Sequence, residues 1–221
     1  MKNIAAALIA LALLPAVSHA ENMAVTGKLG TLGAGAELNM GFSDSLTGRV
    51  GFNTFTYNYN ANSNQVNYDF KLQLQTVSAL ADWYPFSGSF RTSGGLLYNN
   101  NKISLAANPS GNLTIGPTTY TPGQVGSLQG TVAFNKVAPY LGIGWGNPVA
   151  KGKGLGMTSD IGVLFQGSPK TSLTATCGTG LTAPQCAQLQ TDAAAENAKL
   201  ESDLSSFKMW PVISIGISYQ W

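Results

Sequence analysis

The chain is short of the residues from which most catalytic and metal sites are built. One of its 221 residues is histidine, His19, and two are cysteine, Cys177 and Cys186. Charged residues make up only 10%, and the 12 Lys plus Arg nearly balance the 10 Asp plus Glu. A nucleic-acid binder needs a basic face, so no nucleic-acid partner is expected. Past the first twenty residues no apolar run approaches the roughly 18 that a membrane-spanning helix requires.

The one long apolar run is N-terminal. Met1-Lys2, the stretch Ile4 to Val17 and Ser18-His19-Ala20 make a basic start, a short greasy core and a small-residue end. That is the pattern of a secretory signal, expected to be cleaved after Ala20. Residues 1–20 are therefore read as signal peptide and 21–221 as the working domain. Cleavage removes Lys2, leaving eleven of the 12 basic residues, and also removes the only histidine. A Ser nucleophile or an attacking water normally needs such a base near neutral pH. Asp160 and Glu37 stand alone on their strands, so the chain is not expected to be an enzyme. Cys177 and Cys186, without histidine partners in an exported chain, predict a disulfide rather than a metal site. No metal or cofactor is expected. Closing so short a ring is worth under about 3 kcal/mol, enough to pin a loop.

What is abundant is glycine, 26 residues, and aromatics, 10%. The last stretch shows how they are used. In Pro211 to Trp221 the residues Ile213, Ile215, Ile217, Tyr219 and Trp221 share one face of a strand, and Ser214, Gly216, Ser218 and Gln220 the other. Strict period-two alternation with a small polar face suits a barrel strand between lipid and lumen. An open, greasy edge strand at the end of a soluble sandwich would invite aggregation.

Eight such strands are predicted: about 23–29, Leu32 to Phe42, Leu46 to Tyr59, Val66 to Tyr84, Phe90 to about Leu105, Leu128 to Trp145, Leu155 to Leu173, and the terminal one. In the second, Leu38 and Met40 oppose Glu37 and Asn39. In the third, Val50 and Phe52 oppose Arg49, Gly51 and Asn53. In the fourth, Tyr68, Phe70, Leu72 and Leu74 are assigned to lipid and Asp69, Lys71, Gln73 and Gln75 to the lumen. Connections after even-numbered strands are short, and those after odd-numbered ones are mostly long. That asymmetry matches periplasmic turns and external loops. Descending strands end in Phe42, Trp83, Tyr84, Trp145, Tyr219 and Trp221, a predicted aromatic girdle at one membrane interface.

The fold class is thus all-β, an eight-stranded antiparallel transmembrane β-barrel. A disulfide-pinned external loop and a short helix are placed between the last two strands. Over Pro184 to Phe207, Leu189, Ala193, Leu200, Leu204 and Phe207 recur at helical spacing. This helix reads as a cap across the rim, with a gate or a partner-binding surface as the alternative.

Six charges are assigned to the lumen: Glu37, Arg49, Lys71, Arg91, Lys136 and Asp160. An eight-stranded interior is barely wide enough for its own side chains, so charges there must pair. They make either a salt-bridged plug or a narrow polar path for a small charged solute. Gly152 to Gly156 lacks the Lys-Ser/Thr of a phosphate loop; with Lys151 and Lys153 it reads as a basic turn near lipid headgroups.

Four stretches carry a resemblance: Gly30 to Gly35, Val137 to Pro148, Gly162 to Lys170, and the terminal strand. There the sequence resembles small proteobacterial outer-membrane barrels, above all the CarO-type ornithine-uptake porins and more distantly the OmpW-like barrels. The resemblance implies a monomeric outer-membrane barrel, a narrow channel or binding barrel for small solutes. The alternative is a structural or surface-interaction protein with a closed lumen. Expected partners are the lipid bilayer, lipopolysaccharide and, through the Trp221 end, the barrel-assembly machinery. No substrate-binding residue maps onto a position of this chain.

Overall fold

A computed structural model describes residues 22–63, 66–121, 123–150 and 152–221. The expected signal segment lies outside them, as does Lys151. Thirteen strands and one helix follow in order: β1 (Met23–Gly30), β2 (Gly33–Ser43), β3 (Leu46–Ser63), β4 (Val66–Trp83), β5 (Phe90–Asn99), β6 (Lys102–Pro109), β7 (Leu113–Ile115), β8 (Thr118–Tyr120), β9 (Val125–Ala133), β10 (Val137–Trp145), β11 (Gly154–Phe165), β12 (Lys170–Cys177), α1 (Ala183–Leu204) and β13 (Met209–Gln220).

Eleven of the strands share one antiparallel sheet, and β7 and β8 form a separate hairpin. Pairings run β1–β2, β2–β3, β3–β4, β4–β5, β5–β10, β10–β11, β11–β13 and β13–β1. Within this circuit each strand has two neighbours, and the terminal strand pairs with the first. The expected count of eight holds for this circuit and fails for the chain. The fifth, sixth and seventh predicted strands are each interrupted, at residues 100–101, 134–136 and 166–169. Beyond the interruptions, β6, β9 and β12 continue as a second region, paired in the order β4–β6–β9–β12.

Only β3 and β4 run unbroken through both regions, 18 residues each. At the first break Asn101 Oδ1 accepts from Gln75 N at 2.9 Å and Asn100 N donates to Gln75 O at 2.9 Å. Asparagine side chains thus take over where the β4–β5 ladder stops.

The two regions have opposite polarity. In the eight-strand circuit the outward face is apolar: Ile213, Ile215 and Ile217 are all more than half exposed, while Ser214 and Ser218 are buried. In the second region the outer face is polar. There Asp69, Lys71, Lys102 and Lys170 are exposed, and Tyr68, Phe70 and Leu72 turn to the sheet's inner side. The predicted facing of β4 is therefore inverted. Leu74, Thr76, Ser78, Leu80 and Asp82 lie on one inward face, and Val77 and Trp83 point out. Assigning apolar residues to the outside fails on Tyr68 to Leu74, because the outward positions of that part of the strand carry the charged side chains Asp69 and Lys71.

Helix α1 packs on β12 and β7. Its start is set by Thr182, whose N–H donates to Gln185 Oε1 at 2.9 Å, with Pro184 in the first turn, where a missing N–H costs nothing. Leu189 and Ala193 bury against Ile115, Tyr120, Val125 and Ala175. Phe207, assigned to the helix from its spacing, lies past the helix end and is exposed.

Candidate functional site

The interior of the eight-strand circuit is built from the small-polar faces of its strands. Arg49, inward on β3, is the hub. Its Nη1 lies 3.2 Å from Glu37 Oε2, its Nε 2.7 Å from Asp82 Oδ2 and its Nη2 3.2 Å from Asp160 Oδ1. Arg91 on β5 approaches Asp160 Oδ1 to 2.7 Å and Asp82 Oδ2 to 3.7 Å. Lys28 on β1 pairs with Glu37. Ser93 donates to Asp82 Oδ1 at 2.6 Å, and Ser214 to Asp160 Oδ2 at 3.4 Å.

Three cations meet three carboxylates, drawn from six strands, and none of the six side chains is more than 10% exposed. Buried charges persist only when each is matched in this way. Arg91 also donates to the carbonyls of Trp145 (3.3 Å), Gly146 and Ser159 (3.4 Å) through its two terminal nitrogens.

Inward glycines make the room. A Cβ at Gly51 would come within 2.6 Å of Glu37 Cγ, and one at Gly144 within 2.9 Å of Arg91 Cζ. Only a residue without a side chain lets the charged groups lie across the facing strand. On the hairpin side of the charges sits an apolar layer: Leu32, Leu80, Leu97, Tyr140, Leu164 and Val212, against which Trp210 packs. Between the layers a void of about 10 Å³ touches Lys28, Leu32, Asn53, Val212 and Ser214. That is room for about one water and for no larger solute.

Of the predicted lumen charges, Glu37, Arg49, Arg91 and Asp160 come together. Lys71 and Lys136 do not. Lys71 is exposed on the polar outer face of β4 for the reason given above. Lys136 lies in the break between β9 and β10, where strand alternation does not carry through. It bonds to Asn100 and sits 5.9 Å from the centre of the Tyr98 ring. Lys28 and Asp82 were missed. Both were legible by parity, Lys28 in step with Thr26 on a short first strand, and Asp82 in step with Thr76 and Ser78.

In the predicted girdle, Phe42, Trp83, Trp145 and Tyr219 are exposed at one end. Tyr84 is the correction: it is 1% exposed and faces inward, since neighbours in a strand point to opposite faces. Trp221 is half-buried just past β13. Cys177 and Cys186 are joined, tying the end of β12 to the first turn of α1. Among the described residues no three potential metal ligands gather.

A second buried polar group lies under the helix. Tyr120 donates to Asp192 Oδ2 at 2.7 Å, and Gln188 to Asp192 Oδ1 at 2.8 Å. Burial, then the hydrogen bond to Asp192, pushes the Tyr120 hydroxyl up to about 12. The hydrogen bond from Tyr120, helped by Thr118 and Gln188, holds the Asp192 carboxyl below the ordinary carboxylate range.

No family model and no curated protein matches the sequence. Solved structures do. The chain is similar to Acinetobacter baumannii CarO2, at 21% identity and a TM-score of 0.58, over 90% of this chain and 98% of that one. It is similar to A. baumannii CarO at 21% identity and a TM-score of 0.57, over 90% and 97%. The circuit of strands closed by the C-terminal one, with its extension beyond the breaks, is the CarO-type barrel fold.

Proposed function

We propose that the protein is a monomeric outer-membrane β-barrel whose lumen is sealed and whose work is done by the part that stands outside the cell. The carrying observation is the balanced six-charge network, drawn from six strands and roofed by apolar side chains; the void between the two has room for about one water. The apolar outward belt, its aromatic end and the lengths of β2, β5 and β10, 11, 10 and 9 residues, suit a tilted strand crossing a bilayer. The CarO likeness supports the same location. The segment 1–20 is then the export signal, and the Trp221 end the part recognised during assembly.

On this reading Arg49, Arg91 and their partners hold the wall together rather than select a solute. A catalytic role gains no support, since every lumenal carboxylate is already held by a cation. Single-channel recording in planar bilayers tests the proposal. Folded wild-type protein is expected to give no openings above bare lipid. Reproducible, ion-selective steps would instead favour a channel for small solutes.

A further inference from the structure

The network absorbs three of the chain's cations; of the exposed lysines elsewhere, Lys153 lies in the turn before β11, Lys199 on α1, and Lys71, Lys102, Lys136, Lys170 and Lys208 on or beside the strands. These last five lie beyond the final exposed apolar residues of the belt along the chain: Lys136 and Lys208 adjoin Val137 and Met209, and Lys102, Lys170 and Lys71 lie four, five and six residues from Tyr98, Phe165 and Val77. The register brings three of them onto one surface. Gln73 pairs with Lys102, Lys102 with Ala133, and Ala133 with Lys170, so Lys102 and Lys170 share a row across β6, β9 and β12. Lys71, opposite Ser104, occupies the next row one strand away. Strands spaced about 4.8 Å apart put Lys102 and Lys170 roughly 10 Å from each other, within mutual reach of one anionic group. Asp69 is the one carboxylate on this part of β4's outer face. Among the described residues, none of the three lysines has a carboxylate within ion-pair distance.

We infer that Lys71, Lys102 and Lys170 form a docking surface for the phosphate groups of a phosphorylated outer-leaflet glycolipid. Three unpaired like charges side by side are unfavourable until an anion joins them. Their height selects the source. They crown a face meant for acyl chains, where a lipid's headgroup must come to rest. The glycolipid would lay its tails along Val77, Tyr98 and Phe165 and its phosphates on the lysines. This rests on the barrel being embedded as proposed above.

The test uses the full mature chain in nanodiscs, titrated with bisphosphorylated lipid A, with dephosphorylated lipid A and with inorganic phosphate. Each lysine near an anionic surface contributes about fivefold in affinity, so Lys71→Gln/Lys102→Gln/Lys170→Gln is expected to weaken binding of the bisphosphorylated lipid by at least tenfold. Lys199→Gln, on the helix that covers the opposite face of β12, is expected to leave binding unchanged, and the dephosphorylated lipid to ignore all three charges. Equal binding by wild type and a folded triple variant would overturn the inference. So would competition by inorganic phosphate at the lipid's own concentration, which would mark a free-anion site. A wild-type chain that fails to insert into bilayers would remove the barrel reading and this one together. A chain that inserts but does not discriminate removes this one alone.

Discussion

The eight-strand circuit and the sheet above it are made from the same strands and are inside-out versions of each other. On β4, Thr76, Ser78 and Asp82 face in and Val77 and Trp83 face out; earlier on the same strand, Phe70 faces in and Asp69 and Lys71 face out. The strand does not change phase between them. What changes is the set of outward side chains, from apolar to polar, as the proposed passage from acyl chains to water requires. The interiors differ accordingly. The lower one holds a charge network that needs every partner; the upper one is an apolar core of Ile115, Tyr120, Val125, Ala175, Leu189 and Ala193 under a helix.

Three experiments would break or sharpen this contrast. The largest effect is expected at the hub. Arg49→Ala strands Glu37, Asp82 and Asp160 together in a dry interior and should cost about 3–5 kcal/mol, read as a lower urea midpoint for unfolding in detergent or lipid. Leu189→Ala, in the upper core, should strip the helix while leaving the barrel's unfolding midpoint in place. Loss of both together would mean one cooperative unit.

Next is the same substitution made on both outer faces. Ile215→Lys, mid-belt and 64% exposed, should cost about 2–4 kcal/mol in a bilayer. Thr131→Lys, on the outer face of β9, should stay within about 0.5 kcal/mol. Equal penalties would remove the claim that the two faces meet different solvents.

The smallest effect concerns pH. Asp192 is depressed, so the stability it lends is present at neutral pH and fades as pH falls through its lowered value. Tyr120 is raised from 10.0 to about 12, so its contribution is intact below pH 10 and is lost as pH rises toward 12. The helical far-UV signal should hold from neutral pH to about 10 and then decline. Tyr120→Phe should abolish that alkaline step; its persistence would assign the step to another group.

Much of this was readable beforehand, for a physical reason. Alternation in β2, β3 and β11 reports which face is small and polar without any tertiary knowledge, and it assigns Glu37, Arg49 and Asp160 to the face on which the structure buries them. The same logic misfaced Lys71 because it assumed one solvent along the whole strand. It lost Lys136 because a break at residues 134–136 resets the phase. Asp82 was overlooked through that inverted facing of β4, and Tyr84 was grouped with Trp83 although adjacent residues oppose each other.

By itself the sequence determined the element type, the terminal strand's facing, the cystine and the helix, because each rests on local periodicity or a short spacing. Only the tertiary structure decided that β13 pairs with β1, that six charges from six strands converge on Arg49 and Asp160, and that three lysines on three strands share one surface. Such arrangements depend on register between strands up to nearly two hundred residues apart in the chain, and no local pattern encodes that register.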